Sequence, residues 1–371
     1  MTLTAEQYVT TEVPIELVFT DVDVRTAKKE YTIPSFTEEW FTHHKLHSDI
    51  SLMRMEPHRE LFRYFYGESG ASPEPYLAWY ERIHHLRGVA PPMDREGLLN
   101  QKRMEYVNMR SYLQNDPGYF TENPPLVTYR TPGRFNIQDG HHRAVFLYCS
   151  GLRRIPVRMT RADYETWLNP EALEDTVQMV ALQQRNLIYT PILHPHFYGK
   201  RSERDEFYKT RLDVILEYLG SRDLKRTKVL DIGCNIGYYA RHFTREGAQV
   251  TGIEPDPLHA ELLMRLNRLE RAEFELVREP FERLVGLQGY EIGILHTVFY
   301  HLMGDSGLSE RFLSTLDCAV HGLLFWESGD RIEEEKSLLF KHTGFEEYVK
   351  LADTFGTGKY RELGVFLKRP R

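Results

Sequence analysis

The residues best suited to chemistry lie at the ends of a series of short apolar segments in the C-terminal part of the chain. Lys228-Val-Leu-Asp-Ile reads as a strand, and Gly233-Cys-Asn-Ile-Gly237 follows it directly. Two glycines at this spacing let a backbone loop approach a ligand closely. Asp231 stands at the strand end, where a carboxylate meets a cationic group. Glu254 closes the next strand-like segment, 21 positions after Gly233, and an acid there can accept two vicinal hydroxyls. Glu279 follows a third segment, with Glu282 as its competitor for facing an adenine amino group. His301, Tyr300 and His296 end or follow a fourth, and Glu327 ends a fifth. His301 is the first choice for a general base, being the side-chain type that ordinarily changes charge near neutrality. Glu327 is a second candidate on the same side.

These side chains need a parallel sheet to hold them, because ligands in such sheets bind outside the carboxyl ends of the strands. The segments supply one. Lys228–Ile232, Gln249–Glu254, Glu273–Val277, Glu291–Thr297 and Gly322–Glu327 read as strands. Tyr238–Arg245 and Pro257–Leu269 read as helices between them, the latter with Leu258, Leu262, Leu263, Leu266 and Leu269 at helical spacing. Phe345–Ala352 and Arg361–Leu367 would close the sheet as an antiparallel pair. A dinucleotide loop, Gly-x-Gly-x-x-Gly, requires glycine at 233, 235 and 238, where this chain has Gly233, Asn235 and Tyr238. The loop instead suits the amino-acid end of S-adenosylmethionine.

Asp-Ile-Gly-Cys-Asn-Ile-Gly-Tyr-Tyr, Thr-Gly-Ile-Glu-Pro and Thr-Val-Phe-Tyr-His-Leu, in this order, resemble the Rossmann-like S-adenosylmethionine-dependent methyltransferase superfamily over residues 222–371. Asn235 stands where many members have a middle glycine. The resemblance implies a seven-stranded sheet and a cofactor held by Asp231, Gly233, Cys234, Asn235, Gly237, Glu254 and Glu279, with His296 at the fourth strand end. It also implies that an element before the first strand closes over the cofactor, which points to Tyr198 and His196 in His194-Pro-His-Phe-Tyr198. Read by itself, that segment is either a proline-rich linker or, if extended, a histidine pair on one face; no third ligand at a metal-site spacing accompanies it.

The earlier part of the chain is different. From Thr37 to about Arg110 the pattern is helical and aromatic, with Tyr64, Phe65, Tyr66, Tyr76, Trp79 and Tyr80. Strand-like Pro124–Tyr129 and Gly133–Gln138, a turn at Asp139-Gly140, a helix to Leu152 and a strand over Ile155–Met159 follow. Asp139-Gly-His-His-Arg143 at a helix start can bind an anion through exposed N–H groups and one guanidinium, with His141 and His142 alongside. The plainer alternative is a cap by Asp139 and an ion pair from Arg143. Phe135–Arg158 resembles the ParB/sulfiredoxin-like domain, chiefly over residues 124–160, with Val13–Leu17 as a candidate first strand. That resemblance implies a nucleotide phosphate at this turn, with Mg²⁺ on Asp139 as a further role. The division expected is therefore an α+β unit over 1–162, a helical linker and lid over 163–221 with a helix at Arg211–Leu219, and an α/β methyltransferase unit over 222–371.

Composition sets the outer limits. The 371 residues are 41% hydrophobic and 27% charged, with a formal net charge of −7. Basic and acidic residues number 19 and 20 up to residue 160, and 28 and 34 beyond it. Neither part shows the basic excess of a nucleic-acid binder. Cys149, Cys234 and Cys318 have no CxxC spacing and read as free thiols in a reducing compartment. The first residues carry no signal-peptide pattern, and no run approaches a membrane span, so a cytoplasmic location is expected. The leading expectation is methylation of a small-molecule or sugar hydroxyl beside a phosphate- or nucleotide-binding domain. The alternatives are a tRNA-modifying methyltransferase, and a methyltransferase fused to a nucleotide-dependent kinase or nucleotide-sensing module.

Overall fold

A computed structural model describes residues 7–20, 50–86, 90–116, 118–182, 187–204, 209–356 and 358–368. The start of the expected helical stretch, residues 37–49, lies outside them. The chain forms two compact units, one containing residues up to 130, 134–167 and 220–222, the other 131–133, 168–219 and 223 onwards. The segment expected to be a linker thus belongs almost wholly to the second unit.

In the first unit, strands β1 (Tyr8–Pro14), β2 (Val18–Phe19), β3 (Leu126–Arg130), β4 (Arg134–Asp139) and β5 (Arg154–Thr160) form a sheet in the order β1-β5-β3-β4-β2. Its first strand ends where Pro14 begins a 3-10 turn over Ile15–Leu17, so Val13–Leu17 is only in part a strand. Helices α1 (Glu56–Phe65), α2 (Glu74–Leu86), α3 (Arg95–Asn115) and α4 (Gly118–Glu122) account for the aromatic stretch. Helix α5 (His141–Cys149) follows β4 through Gly140, whose φ of 94° lies in the left-handed region.

The second unit is built on seven strands. They are β8 (Lys228–Ile232), β9 (Gln249–Ile253), β10 (Glu275–Val277), β11 (Tyr290–His296), β12 (Val320–Glu327), β13 (Glu347–Gly356) and β14 (Lys359–Leu367). Their order is β10-β9-β8-β11-β12-β14-β13, with the first five parallel and the last two antiparallel. Val229 through Ile232 are buried, as expected of a central strand covered on both faces. The chain leaves β8 toward β9 and β10, then returns to lay β11 on its other side. The crevice between β8 and β11 is therefore the topological switch point where ligands bind.

Helices α6 (Arg161–Leu168) and α7 (Pro170–Leu182) are separated at Asn169, whose φ is 42°. The short pair β6 (Leu187–Ile188) and β7 (Arg201–Ser202) and helix α8 (Arg211–Leu219) precede the sheet. Met179, Val180, Ile188, Ile192 and Phe197 share one apolar cluster with Ile236 of the glycine loop and Leu262, Leu266 and Leu269. The latter three belong to α10 (Pro257–Glu270), which comes after α9 (Tyr238–Arg245). Asp256 caps α10 by accepting from the N–H groups of Leu258 and His259 (both 2.9 Å). Leu258 itself is 45% exposed, because it sits in that first turn and not on the buried stripe. Helices α11 (Ser306–Ala319) and α12 (Ile332–His342) complete the unit.

Candidate active site

The glycine loop is shaped by close packing. Gly233 has φ 71°, and a Cβ there would stand 2.5 Å from Val298 Cγ2. Gly237, with φ 78°, opens α9, and a Cβ there would stand 2.9 Å from Phe274. Asn235 is also left-handed, at φ 50°. Its N–H donates to Glu254 Oε2 (2.9 Å), while its side chain meets His259 Nδ1 at 3.2 Å. The Cys234 N–H donates to the Ile253 carbonyl (2.9 Å), and its thiol is buried. Burial raises that thiol, so it serves as packing and not as a thiolate.

Two carboxylates stand at the strand ends beneath this loop. Asp231 is 3% exposed, accepts from the Ala240 backbone, and leaves Oδ2 buried without a partner. Burial pushes its carboxyl up to about 7, and the neighbouring Glu254 charge adds to the effect. Glu254 is also raised, by burial, against the pull of the Asp256 and Asn235 N–H groups and His259. A buried pair of this kind is relieved by a cation. The groups present fit S-adenosylmethionine: a narrow glycine cradle, an orphaned carboxylate oxygen for an ammonium, and an acid ending the adjacent strand for ribose hydroxyls. Glu279, by contrast, is exposed beyond β10, and Glu282 is half-buried in the turn that follows.

At the ends of β11 and β12, His296 packs edge-on to Tyr239, with ring centroids 4.8 Å apart. His301 is exposed at the end of the 3-10 turn Phe299–His301, its ring 3.9 Å from that of Tyr300. Glu327 is fully buried and fully engaged. It accepts from Arg204 Nη1 (2.6 Å), Arg211 Nε (2.5 Å) and the Thr354 hydroxyl (2.5 Å). Burial alone would raise this carboxyl, but Arg211, His296, Arg204 and Thr354 outweigh it and hold it below its ordinary range. That environment makes Glu327 an ion-pair anchor and a poor proton acceptor.

The His194–Tyr198 segment is a 3-10 turn and not an extended pair. His194 caps it: Nδ1 accepts from the His196 N–H (3.2 Å), and Nε2 lies 3.0 Å from the Leu168 carbonyl. Nδ1 thus serves the turn and Nε2 ties it to the end of α6, and burial lowers the imidazole's basicity. Tyr198 is half-buried and His196 exposed. Among the described residues, no group of three or more His, Cys, Asp or Glu is placed to hold a metal.

In the first unit, Asp139 does not cap α5; Arg143 Nη2 donates to it (2.8 Å), and Arg143 Nη1 donates to the Asn123 carbonyl (2.7 Å). A Cβ on Gly140 would stand 3.0 Å from Arg143 Nη2 and from Pro125 Cα. Burial pushes His141 down to about 4, against the opposing pull of Asp139, and holds His142 well below its ordinary value. His142 Nε2 lies 2.8 Å from the Tyr76 hydroxyl, and its ring packs 4.6 Å from that of His58.

Sheet order, glycine loop and strand-end acids together define a Rossmann-type methyltransferase fold for the second unit. Residues 201–292 match a family described as "Methyltransferase domain". The chain therefore carries a methyltransferase domain. No curated protein sequence matches it. Among solved structures it is similar to the bifunctional kinase-methyltransferase WbdD, at 22% identity and TM-score 0.44, over 52% of this chain and 46% of that one. It is also similar to the magnesium protoporphyrin IX methyltransferase ChlM from Synechocystis PCC 6803, solved with bound SAM (17%, TM-score 0.37, 43% of this chain and 78% of that one). A third is the N-methyltransferase NodS from Bradyrhizobium japonicum WM9, solved with S-adenosyl-L-homocysteine (14%, TM-score 0.36, 43% and 85%). The match thus spans less than half of the WbdD chain.

Several features of the site have no local signature in the sequence. Arg204, Arg211 and Tyr189 reach the strand ends from a segment more than 85 residues earlier, as their contacts with Glu327 and Thr297 show. Glu270 does the same on the other side: it accepts from Arg241 Nε (2.9 Å), Arg245 Nη2 (2.7 Å) and the Leu193 N–H (3.1 Å).

Proposed function

We propose that this chain transfers a methyl group from S-adenosylmethionine to a hydroxyl of a small molecule or sugar. The observation that carries the donor assignment is Asp231, buried with one oxygen unpartnered beneath the glycine cradle and beside Glu254. Asp231 would hold the donor's ammonium, the backbone of Gly233–Gly237 its amino-acid end, and Glu254 its ribose; bound there, it supplies an electrophilic methyl. The chain's own contribution is position and exclusion of water. His301, at the end of the turn after β11, is the group available to take the acceptor's proton. A hydroxyl acceptor is favoured over a nucleic acid by the net charge of −7, which lacks the basic excess a polyanion requires.

The same reading assigns the Asp139–Arg143 turn of the first unit to a phosphate or nucleotide. Its support is the left-handed Gly140 start to α5, which has no side-chain cap, with the Arg143 guanidinium beside it.

Calorimetry with S-adenosylhomocysteine tests the donor site, and transfer of labelled methyl to free sugars, sugar phosphates and nucleotide sugars tests the acceptor class. Failure of the purified chain to bind the cofactor sinks the proposal. Methylation of tRNA in place of these acceptors would replace it with the nucleic-acid reading.

A further inference from the structure

The end of β11 holds a residue under backbone strain. Thr297 has φ 53°; the other described non-glycine residues with positive φ are two asparagines and two arginines. A β-branched side chain is the least suited to this region, and such strain persists only where the surroundings over-determine it. Three contacts do so here. The Thr297 N–H donates to the Glu327 carbonyl (3.0 Å), its hydroxyl lies 2.9 Å from the Tyr189 hydroxyl, and the next residue, Val298, fills the space above Gly233. Tyr189 is itself fixed from its other face by the Arg204 guanidinium, 4.7 Å from the ring centre, which in turn is paired to Glu327. Glu327 thus holds Thr297 directly through its carbonyl and Tyr189 indirectly, through the Arg204 that its side chain pairs with. In the same wall, Thr190 Oγ1 and Arg204 Nε are buried without hydrogen-bond partners.

We propose that Tyr189 and Thr297 form a hydroxyl pair that positions an alcohol at the methyl-transfer site, with Glu327 and Arg204 as the positioning residues that fix the pair. This rests on the methyltransferase reading above and narrows its substrate side. Two hydroxyls carry two protons and four lone pairs, and their mutual bond uses one of each. What remains is one donor and several lone pairs, which suits an alcohol, a group that both donates and accepts. The pair lies at the carboxyl end of β11, one residue from the Val298–Gly233 contact, where the acceptor must meet the donor. Tyr189 directly follows β6, ahead of β8, so the segment preceding the seven-stranded sheet contributes to the acceptor wall.

The test uses the full chain, labelled S-adenosylmethionine and a mixture of free sugars and sugar phosphates, with S-adenosylhomocysteine binding measured in parallel. Tyr189→Phe and Thr297→Val should each lower kcat/KM roughly tenfold or more, mostly through KM for the alcohol, with S-adenosylhomocysteine affinity within about twofold of wild type. Thr297→Ser should restore most of what Thr297→Val loses, and the double variant should be little worse than either single one. Unchanged kcat/KM in Tyr189→Phe overturns the inference, even if Thr297→Val fails to fold. A wild type that binds S-adenosylhomocysteine but methylates no alcohol overturns the hydroxyl reading and this inference with it. A wild type that does not bind it overturns the donor assignment instead.

Discussion

Asp231 should make cofactor binding depend on pH. Burial and the Glu254 charge oppose its ionisation and push its carboxyl up to about 7 in the folded chain, well above the ordinary aspartate value of 3.8. Pairing with an ammonium favours the ionised form, so binding at pH 6 must expel the proton that the free site holds. For a site titrating near 7, the ionised fraction rises from about one-eleventh at pH 6 to about three-quarters at pH 7.5. S-adenosylhomocysteine should therefore bind about eightfold more tightly at pH 7.5 than at pH 6, with release of about 0.9 proton at pH 6. Calorimetry in two buffers of different ionisation enthalpy measures both quantities. The same shift has a consequence for stability. A carboxyl raised in the folded state contributes most below its unfolded pKa, and that contribution is lost as pH rises through the folded value. At pH 8 the ionised Asp231 costs the free protein on the order of 4 kcal/mol. Asp231→Asn should thus melt higher than wild type at pH 8 while binding the cofactor more weakly. Binding that does not change with pH and releases no proton, together with an unaltered melting temperature in Asp231→Asn, would refute the reasoning.

Four further outcomes are expected. Gly233→Ala places a methyl group against Val298 at a left-handed position, and should cost about 1–3 kcal/mol in thermal unfolding and weaken S-adenosylhomocysteine binding, read by calorimetry. Glu327→Ala leaves Arg204 and Arg211 buried without their shared carboxylate, and should cost about 3–5 kcal/mol in denaturant unfolding, far more than loss of an exposed residue. His301→Ala should leave the melting temperature within the range of a surface change, yet lower kcat by roughly 10²-fold if the imidazole takes the acceptor proton. Arg143→Ala removes the contacts to Asp139 and the Asn123 carbonyl; on the proposed phosphate reading of this turn, wild type should bind a nucleotide such as ATP by calorimetry and the variant should not, while S-adenosylhomocysteine affinity is unchanged.

Local patterns carried much of this fold. The strand Lys228–Ile232 and the helices Tyr238–Arg245 and Arg211–Leu219 have the bounds that apolar runs and flanking glycines imply. The α/β expectation for the C-terminal unit holds, with the antiparallel pair at its edge. Local pattern failed where a single residue changed the backbone. Asn169 interrupts the helical stretch after residue 163 because its side chain donates to the carbonyls of Arg268 and Leu269 from a left-handed turn. His194-Pro-His became a capped 3-10 turn because Pro195 fits its first position and His194 can accept from the chain ahead. The charges around Glu327 and Glu270 were least legible, since their partners come from distant segments and follow no spacing rule.

Glu270 has a consequence for how this sequence can vary. Two arginines from the helix behind the glycine loop and the Leu193 N–H from the segment after β6 converge on a single buried carboxylate. Losing any one member strands a charge in the interior, whereas replacing all of them with well-packed apolar side chains is close to neutral. The triad is therefore inherited as a block: descendants should keep Arg241, Arg245 and Glu270 together or abandon them together. Leu193 takes part only through its backbone N–H, so its side chain answers to packing in the core and not to the charge cluster.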